Sequence, residues 1–389
     1  MEIRQLQGDE RFQARLIAAV AFHQRMEDPE KERLESERET DRHWGAFLED
    51  GTLAAHIINN RFTYFLDGKT VAGGGIGAVS TLPEYRNTGA VREIFQRLLP
   101  AAYADGEVIS TLYPFSHAFY RKFGYETVRW RNEYEFSPDV LREYRFDGEA
   151  RLWKTGDPVQ PWTELYNRFA SAYNLAPVRD DEMMLGHLKG EYYKDRKFCY
   201  MLYEAGRPAA FVIFQDVRHD PQAILEVKNL AWEGREGFLA VLGFLARFSA
   251  DYGTIRLFLP RDLELLSVIH CPRAYDVTEK ADQGFMIRVI NAAGALETIR
   301  KPEGCRFVIR VSDGMITENN GTWLVTDGAA VPVQEDPDLA VSVQTLGQLV
   351  CGAVSLAEAA YREDTVISGN RETLERVFTR KPILVEDHF

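Results

Sequence analysis

The pattern of apolar and polar positions predicts a mixed α/β structure for residues 1–145. Apolar residues at helical spacing predict one helix from Phe12 to Phe22 and another from about Gly89 to Tyr103. Alternating or β-branched runs predict strands at 52–58, 62–66, 71–81, 108–112 and 126–135, and a short helix is expected at 116–122. The polar segment 27–42 is typical of a solvated helix with mixed i,i+4 ion pairs.

Residues 150–285 repeat this order of elements without repeating the sequence. Two strands at 198–203 and 209–214 flank the turn Ala205–Pro208, and a strand at 224–232, a helix at 237–252, a strand at 254–259 and a short helix at 263–270 follow. The matching order of turn, long helix, strand and short helix predicts an internal duplication.

The rest of the chain follows a different pattern. Strands are expected at 286–290, 307–311 and 323–325, helices near 292–299, 341–349, 356–361 and 371–378, and an extended tail at 383–389. The three patterns together predict an α/β chain with three domains, at 1–147, 148–285 and 286–389.

Composition narrows the classes of function. Hydrophobic residues make up 45% of the 389 residues, charged residues make up 27%, and the formal net charge is -13. The chain can therefore bury sizeable cores, but it offers no basic face for a phosphate backbone. No run approaches the ~20 apolar residues of a membrane helix, and the first residues lack the apolar core of a signal peptide. We expect neither nucleic acid nor a membrane as a partner.

The spacing of cysteine and histidine argues against disulfides and metal. Four cysteines lie far apart without a CxxC pair, and the eight histidines show no HxxxH or HExxH spacing. We expect free thiols in a reducing cytoplasm and no catalytic metal.

The most specific signal is the segment from Val79 to Val91, in which a strand ends, a turn with Pro83 follows, and Arg86-x-x-Gly89 opens an apolar helix. Unpaired amides and the helix dipole favour an anion such as a pyrophosphate there, and glycine permits close approach or a positive φ. An ordinary strand–turn–helix connection explains the pattern about as well. The segment is neither a Walker loop nor a dinucleotide fingerprint, because both glycine patterns are missing.

Here the chain resembles the GNAT N-acetyltransferases. Their acetyl-CoA loop is Gln/Arg-x-x-Gly-x-Gly/Ala between a strand and a helix; Arg86 and Gly89 match it, whereas Val91 departs from the last position. A second block, Pro114 to Tyr125, resembles the Tyr-x-x-Phe-Gly-Tyr/Phe segment of that superfamily. The two blocks stand at the usual separation, so together they are far more specific than either alone.

The departure at Val91 and the upstream Pro83 are similar to the Eis-type (enhanced intracellular survival) branch. That resemblance implies tandem GNAT folds, with mixed, mostly antiparallel sheets flanked by helices, followed by a sterol-carrier-like α+β domain. It assigns catalysis to 1–147 and a degenerate GNAT-like domain to 148–285, and it implies a homo-oligomer, usually a hexamer. The degenerate domain has Glu233–Gly237 at the loop position, where two carboxylates would repel a pyrophosphate, so we expect no cofactor there.

The resemblance also implies acetyl-CoA as the co-substrate. The backbone of Val79, on a strand that the family splays, would meet the thioester and the pantetheine arm. The full set of expected contacts is Val79, Ser80, Thr81, Arg86, Asn87, Thr88, Gly89, Ala90, Val91, Arg92, Phe115 and Ser116.

Acyl transfer to an amine needs a neutral nucleophile, a donor for the oxyanion and a proton for the departing thiolate. The resemblance assigns the last role to Tyr120, because a phenol with a pKa near ~10 is protonated at neutral pH. From the residues alone, a core aromatic is the simpler interpretation of Tyr120. We expect Tyr125 to be structural, and His117 and His388 are weaker candidate bases.

In Eis-like enzymes the C-terminal carboxylate enters the active site, which by resemblance gives Phe389 a catalytic role. An α-carboxyl group with a pKa near ~3.3–3.7 is a weak base unless it is desolvated, and it can instead hold the substrate ammonium or a relay water. Termini are usually frayed, but the apolar run Ile383–Val385 and the apolar last residue favour an ordered tail.

We therefore expect an acetyl-CoA-dependent N-acetyltransferase that acts in a ternary complex on a primary amine of a cationic small molecule or a lysine side chain. Acids within 27–39 are candidates to line the acceptor mouth. Two other classes stay open: a non-catalytic acyl-CoA or lipid carrier, and a regulatory acyl-CoA binder whose acceptor site has decayed. Intact Arg86, Gly89 and Tyr120 favour the enzyme.

Overall fold

The computed structural model describes residues 1–36, 42–219, 222–270, 273 and 276–387, and these residues form three β-sheets with helices on their faces. The first sheet contains β1 (Glu2–Gln5), β2 (Arg42–Phe47), β3 (Leu53–Leu66), β4 (Lys69–Thr81), β5 (Ile109–Leu112), β6 (Glu126–Val128) and β14 (Phe285–Val289). Their order is β1-β2-β3-β4-β5-β14-β6. The helices of this region are α1 (Glu10–Ala21), α2 (Pro29–Ser36), α3 (Ala90–Ala104) and α4 (His117–Arg121).

The second sheet has the same arrangement. Its strands are β7 (Arg131–Phe136), β8 (Glu149–Leu152), β9 (Lys197–Glu204), β10 (Arg207–His219), β11 (Gln222–Trp232), β12 (Thr254–Pro260) and β13 (Val277–Asp282), and from one edge they follow the order β8-β9-β10-β11-β12-β7-β13. Its helices are α5 (Gln160–Ala170), α6 (Asp181–Leu188), α7 (Gly234–Ala246) and α8 (Leu265–Val268). The parallel pair β11–β12 with crossover helix α7 corresponds to the parallel pair β4–β5 with α3.

The two sheets exchange one strand each. β7 directly follows β6 in the chain but lies between β12 and β13, and β14 directly follows β13 but lies between β5 and β6. The prediction of one strand over 126–135 is therefore wrong, because that segment contributes to both sheets. The exchange also crosses the predicted domain boundaries: β7, before residue 147, belongs to the second sheet, and β14, which ends beyond residue 285, belongs to the first.

The C-terminal region adds a smaller sheet. Its strands are β15 (Arg306–Ser312), β16 (Gly321–Thr326), β17 (Ala330–Pro332), β18 (Leu339–Ser342) and β19 (Thr365–Ile367), in the order β17-β16-β15-β18-β19. Its helices are α9 (Ala292–Thr298), α10 (Val343–Cys351), α11 (Leu356–Ala359) and α12 (Arg371–Val377). The helix expected at 341–349 begins at Val343, because Leu339–Ser342 pairs with β15 and the Ser342 side chain caps the helix.

A buried ion pair fixes the C-terminal region to the first sheet. Arg288, on β14, donates to both carboxylate oxygens of Asp313 at 2.9–3.1 Å, and neither side chain is exposed. Asn319 also donates to Asp313 at 2.9 Å. Around this pair, one apolar core joins β14 to the strands and helices of the C-terminal region.

The glycine run at the centre of β4 has a packing reason. A Cβ on Gly73 would lie 2.7 Å from the carbonyl oxygen of Ile109, and one on Gly74 would lie 2.7 Å from a carboxylate oxygen of Glu107. Both distances are too short for a real side chain, so the close approach of β5 and the buried Glu107 require glycine at these positions.

Two predicted hairpin turns are present, and one predicted break is not. Asp67–Gly68 and Ala205–Gly206 have positive φ at both residues, as two-residue type I′ turns require. The two strands expected at 52–58 and 62–66 are one continuous strand, β3. Within its polar interruption, Asn59 is buried and its side-chain amide donates to Glu107 at 2.9 Å, while Arg61 is exposed.

The polar segment expected as one helix over 27–42 divides into different elements. Helix α2 covers only Pro29–Ser36, and residues 37–41 lie outside the described part of the chain. Arg42 is the buried first residue of β2 and is ion-paired with Glu107 and Asp105. Arg42 is a charged residue inside the sheet with one buried partner, Glu107, and this explains why polarity alone misplaced the helix end.

Candidate active site

β4 and β5 separate shortly before the loop that carries Arg86 and Gly89. β5 pairs with β4 only from Gly73 to Ile76, whereas β4 continues to Thr81 against β3. A bulge at Ala78, which has a φ of 47°, shifts the register with β3 at the same place. Along the described strands, the edge of residues 77–81 that faces β5 is therefore open, and this is the splayed strand that the family resemblance implies. Backbone groups near Val79 can pair there with an extended ligand.

The loop after β4 places the start of α3 beside this gap. Pro83–Tyr85 form a single 3-10 turn, Asn87 and Gly89 have φ of 65° and 91°, and α3 begins at Ala90. A Cβ on Gly89 would meet open space, so its positive φ, and not crowding, is what favours glycine. The start of α3 supplies unpaired amides and the positive end of a helix dipole.

A cavity of ≈ 690 Å³ lies between the open strand edge and the start of α3. Ten of the twelve residues expected at acetyl-CoA line it: Val79, Ser80, Thr81, Arg86, Asn87, Gly89, Ala90, Val91, Arg92 and Phe115. The other two have local partners. Thr88 Oγ1 donates to the carbonyl of Tyr85 at 2.8 Å, and Ser116 Oγ accepts from the amide of Phe119 at 3.3 Å and caps α4.

Six further lining residues were not expected from the sequence: Ala21, Phe22, Tyr85, Phe119, Lys122 and Phe123. Three of them lie in the second sequence block, so that block was the available signal for Phe119, Lys122 and Phe123. The end of α1 at Phe22 reaches the cavity through the tertiary fold, and its only sequence signal is an apolar residue at an exposed helix end.

Tyr120 lies behind the aromatic wall of the cavity. Its ring centroid is 5.2 Å from that of Phe115, 5.2 Å from that of Phe119 and 6.4 Å from that of Phe95, and the residue is 3% exposed. Burial, with a smaller effect of Tyr125, raises the pKa of the phenol above its ordinary value. The phenol therefore stays protonated across the neutral range, as a proton donor must.

The Phe-Gly-Tyr part of the second block packs against the buried ion pair. Gly124 has a φ of 87°, and a Cβ there would lie 3.0 Å from Cζ of Arg288. The hydroxyl groups of Tyr125 and Ser110 lie 2.7 Å apart in a buried hydrogen bond. Tyr125 thus links α4 to β5.

Two of the acids expected at the acceptor mouth, and the candidate base His117, have partners of their own, while Glu37 and Glu39 lie outside the described residues. Arg15 is ion-paired with Glu32 and lies 3.7 Å from Glu35. This pairing favours the solvated-helix interpretation of α2. His117 Nε2 lies 3.0 Å from the carbonyl oxygen of Gln283, so this exposed side chain ties α4 to a surface loop.

The C-terminal segment is bound between the two large sheets as far as Asp387. The side-chain carboxylate of Asp387 accepts hydrogen bonds from the fully buried Arg179 at 3.0–3.2 Å and lies 2.7 Å from His187 Nε2. Its main-chain carbonyl accepts from the hydroxyl of Tyr113, directly after β5, at 3.0 Å. His388 and Phe389 lie outside the described residues, so the catalytic role expected for Phe389 stays a prediction.

The two acids at the end of the described tail have opposite electrostatic settings. Burial raises the pKa of Glu386 to about 7, despite the opposing effect of Arg179 and a hydrogen bond from Asn229. Burial also acts on Asp387, but Arg179 and His187 outweigh it and lower its pKa to about 2. Asp387 is therefore the charged anchor, and Glu386 exchanges its proton near neutral pH.

Three further properties of the described residues concern metal binding, membrane crossing and free thiols. Among them no three His, Cys, Asp or Glu side chains are grouped to hold a metal ion, and no helix combines the length and the apolar character that a bilayer crossing requires. Cys199, Cys305 and Cys351 are buried free thiols, while Cys271 lies outside this part of the chain. Burial raises the pKa of Cys199 and Cys351 to about 11, so both thiols are protonated at neutral pH.

Comparison with known protein families assigns a domain family to the N-terminal and to the C-terminal part of the chain. Residues 2–128 match the acetyltransferase (GNAT) domain family, and residues 292–385 match the sterol carrier protein domain family. The first match spans both sequence blocks and most of the cavity lining, and it implies acetyl-CoA as the co-substrate. No curated protein sequence matches the chain.

Solved structures share this fold over their whole length. A conserved protein from Enterococcus faecalis V583 is 21% identical with a TM-score of 0.88, and the match covers 100% of this chain and 99% of that one. A GCN5-related N-acetyltransferase from Anabaena variabilis is 18% identical with a TM-score of 0.87, and Eis1 from Mycobacterium abscessus is 18% identical with a TM-score of 0.84; each match covers 100% of both chains. The solved structures share the fold; because residues 2–128 match the acetyltransferase (GNAT) domain family, the protein is an N-acetyltransferase, and its residues 292–385 form a sterol carrier protein domain.

Proposed function

We propose that the chain transfers an acetyl group from acetyl-CoA directly to a primary amine, of a cationic small molecule or a lysine side chain, within a ternary complex. One observation carries this proposal: the open edge of β4, the start of α3 and the aromatic wall in front of Tyr120 meet at a single cavity. Its volume of ≈ 690 Å³ suits a ligand of drug size or larger.

In this proposal the co-substrate lies along β4 with its pyrophosphate at the loop Asn87–Val91. The backbone amides and the dipole of α3 favour an anion at that place, and Arg86 and Arg92 add two positive charges to the lining. The net charge of -13 does not oppose this, since local charges and dipoles dominate over distant, screened ones.

Two proton transfers complete the proposed mechanism. An alkylammonium has a pKa near ~10.4, so the acceptor must lose a proton before it attacks the thioester. We assign that step to the terminal carboxylate of Phe389, directly or through a water. Tyr120, which is protonated at neutral pH, then donates its proton to the departing thiolate, a role supported by its position behind Phe115 of the cavity lining.

The experiment that tests the proposal is thiol release from acetyl-CoA with a panel of amines that includes a polyamine, an aminoglycoside and a lysine peptide. Turnover with at least one amine is expected. Tight CoA binding without turnover on any amine would instead favour a regulatory binder. Deleting Phe389, or appending a tag after it, should abolish turnover and leave CoA binding intact; full activity of the tagged chain would contradict the assignment of Phe389.

The packing of the C-terminal region supports catalysis over lipid transport as the function of the chain. Leu346, Leu349 and Val350 of α10 are fully buried in one core with Phe307 and Ile309 of β15. Side chains therefore occupy the space between helix and sheet in which a carrier would need an apolar tunnel.

Assembly and location complete the proposal. We propose a homo-oligomer, a hexamer by family resemblance, in the cytoplasm, where protonated buried thiols such as Cys199 and Cys351 would remain reduced. The division 1–147, 148–285 and 286–389 is kept as part of this proposal, with β7 of the first range in the second sheet and β14, at the start of the third range, in the first sheet. Sedimentation velocity on the untagged chain measures the assembly.

A further inference from the structure

A second cavity, of ≈ 760 Å³, lies where the three regions of the chain meet. The β3–β4 turn at Asp67, the segment after α5 at Ser171, the segment after α9 at Arg300 and the segment after α12 at Thr379 contribute to its wall. Among the described residues, none lines both this cavity and the candidate active site. The proposed acetyl transfer therefore leaves this cavity without a role.

Positive charge is concentrated in this cavity. Its basic lining residues are Arg300, Lys301, Arg376, Arg380 and Lys381, and its acidic ones are Asp67 and Glu375. The lining thus holds three more basic than acidic residues, in a chain whose formal net charge is -13. Arg380 is also ion-paired with Glu358, which lies outside the lining. Like charges in a concave site repel one another, and the same field attracts an anion.

Both acids of the lining are committed to other partners. One carboxylate oxygen of Asp67 accepts from the backbone amide of Arg300 at 2.7 Å and from Lys381 Nζ at 2.5 Å. Glu375 accepts from Nε of Arg371, one turn earlier on α12, at 2.8 Å. Asp67 thus neutralises Lys381 of the same lining, and among the described residues no ion pair joins either acid to the guanidinium group of Arg300 or Arg376.

Lys301 adds an ammonium group that is held in a fixed position at the cavity wall. Its ammonium donates to the carbonyl oxygens of Leu296 and Glu297, at the end of α9, at 2.7 and 3.0 Å. Burial, and then the nearby charge of Lys69, lowers the pKa of Lys301. An anion in the cavity would favour the charged form of this fixed ammonium.

We propose that this cavity binds a small polyanion carrying phosphate or carboxylate groups, with Arg300 and Arg376 as its main contacts. Guanidinium groups match both oxyanions through paired, charge-assisted hydrogen bonds. A concave site of this volume suits a small molecule better than the flat surface of a protein partner. Because the bound anion touches segments of all three regions, it stabilises their arrangement by mass action.

The test is isothermal titration calorimetry on the full chain with inorganic pyrophosphate at low ionic strength. CoA is present at saturation, so that the candidate active site does not take up the probe. We expect binding at one site per chain and a higher Tm. The double variant Arg300→Gln/Arg376→Gln should weaken binding at least about tenfold, because each guanidinium supplies charge-assisted hydrogen bonds. Arg235→Gln, on the exposed start of α7, is the matched control and should bind like the parent.

Citrate in a parallel titration separates the two anion chemistries: tighter binding of pyrophosphate assigns the site to phosphates, and tighter binding of citrate assigns it to carboxylates. Equal Tm values of the three proteins without added anion show that a lost affinity is not lost folding. The proposal is overturned if neither anion binds, or if the double variant binds as tightly as the parent. A change of oligomeric state in the double variant, with no anion binding to the parent, would identify a contact between copies instead.

Discussion

In each of the two large sheets a pair of parallel strands separates and leaves a gap, but only the gap in the first sheet is open. In the first sheet, β4 and β5 separate after Ile76 and border a cavity of ≈ 690 Å³. In the second sheet, β11 and β12 pair only from Ile224 to Glu226, and β11 continues to Trp232. There the tail residues 384–386 line, together with residues of both strands, a space of only ≈ 10 Å³. The chain therefore fills its second gap with its own C-terminal segment.

The loops at the two gaps share a backbone feature and differ in charge. Gly89 before α3 and Gly234 at the start of α7 both have positive φ, of 91° and 62°. Arg86 lies three residues before Gly89. Glu233 lies directly before Gly234 and pairs with Arg168 at 3.3 Å. The cavity beside Glu233 measures only ≈ 270 Å³. One topology thus yields two different sites, because charge and open space decide what a fold can bind.

The largest expected effect tests whether the chemistry belongs to the first gap. Tyr120→Phe should lower kcat by about 10²–10⁴, the usual contribution of a positioned proton donor, with little change in CoA affinity. Steady-state kinetics with the best amine of the panel measures it.

Tyr125→Phe is the matched control, since Tyr125 lies in the same aromatic cluster with a ring centroid 6.3 Å from that of Tyr120. It loses a buried hydrogen bond with Ser110 and should lower stability while kcat changes little. Equal kcat losses in the two variants would mean that Tyr120 is a packing residue and no acid.

The second prediction compares the two exchanged strands. Arg288→Met leaves Asp313 buried without its partner and should reduce the free energy of unfolding by about 3–5 kcal/mol. Arg131→Met, on β7, breaks a half-buried pair with Asp282 at 3.0 Å and should cost about 1 kcal/mol. Urea denaturation at neutral pH measures both. Similar losses would show that the C-terminal region does not depend on the buried pair.

The parts of this fold that the sequence could predict depend on local sequence patterns. The Asp67–Gly68 turn, helix α3 and the loop from Arg86 to Gly89 depend on residues that are neighbours in the chain, and ten of the twelve expected contacts line one cavity. The strand β8 was missed because Glu149–Leu152 is a short edge strand without β-branched residues, whereas the equally short β5 contains Ile109 and Thr111.

Long-range pairings explain the rest. Met286 on β14 pairs with Leu112 on β5, and no local pattern links residues so far apart in the chain. The same holds for the tail in the second gap and for the cationic cavity, whose walls come from four distant segments. Family resemblance named a splayed strand at Val79, but only the pairing register locates its start after Ile76.

The third prediction concerns the tail in the filled gap. Glu386 has a pKa of about 7 in the fold against 4.5 ordinarily, so between these values the folded chain keeps a proton that the unfolded chain releases. Stability should therefore fall as the pH rises from about 4.5 to 7, by on the order of 3 kcal/mol. Glu386→Gln should remove this slope and match the parent at pH 5. Parallel slopes of parent and variant between pH 5 and 8 would contradict it.

The smallest effect gives the sharpest test of the comparison, because the two gaps offer a matched pair of glycines. A Cβ on Gly89 or on Gly234 meets open space, so Gly89→Ala and Gly234→Ala differ from the parent mainly in backbone strain, about 1–2 kcal/mol each. Both should lower Tm by similar amounts. Only Gly89→Ala should weaken CoA binding, by about tenfold, since its strain falls on the loop proposed to hold the pyrophosphate. Titration calorimetry with CoA measures both variants. Weaker CoA binding by Gly234→Ala to the same degree would mean that the second gap takes part in binding, and that its filling by the tail does not exclude the co-substrate.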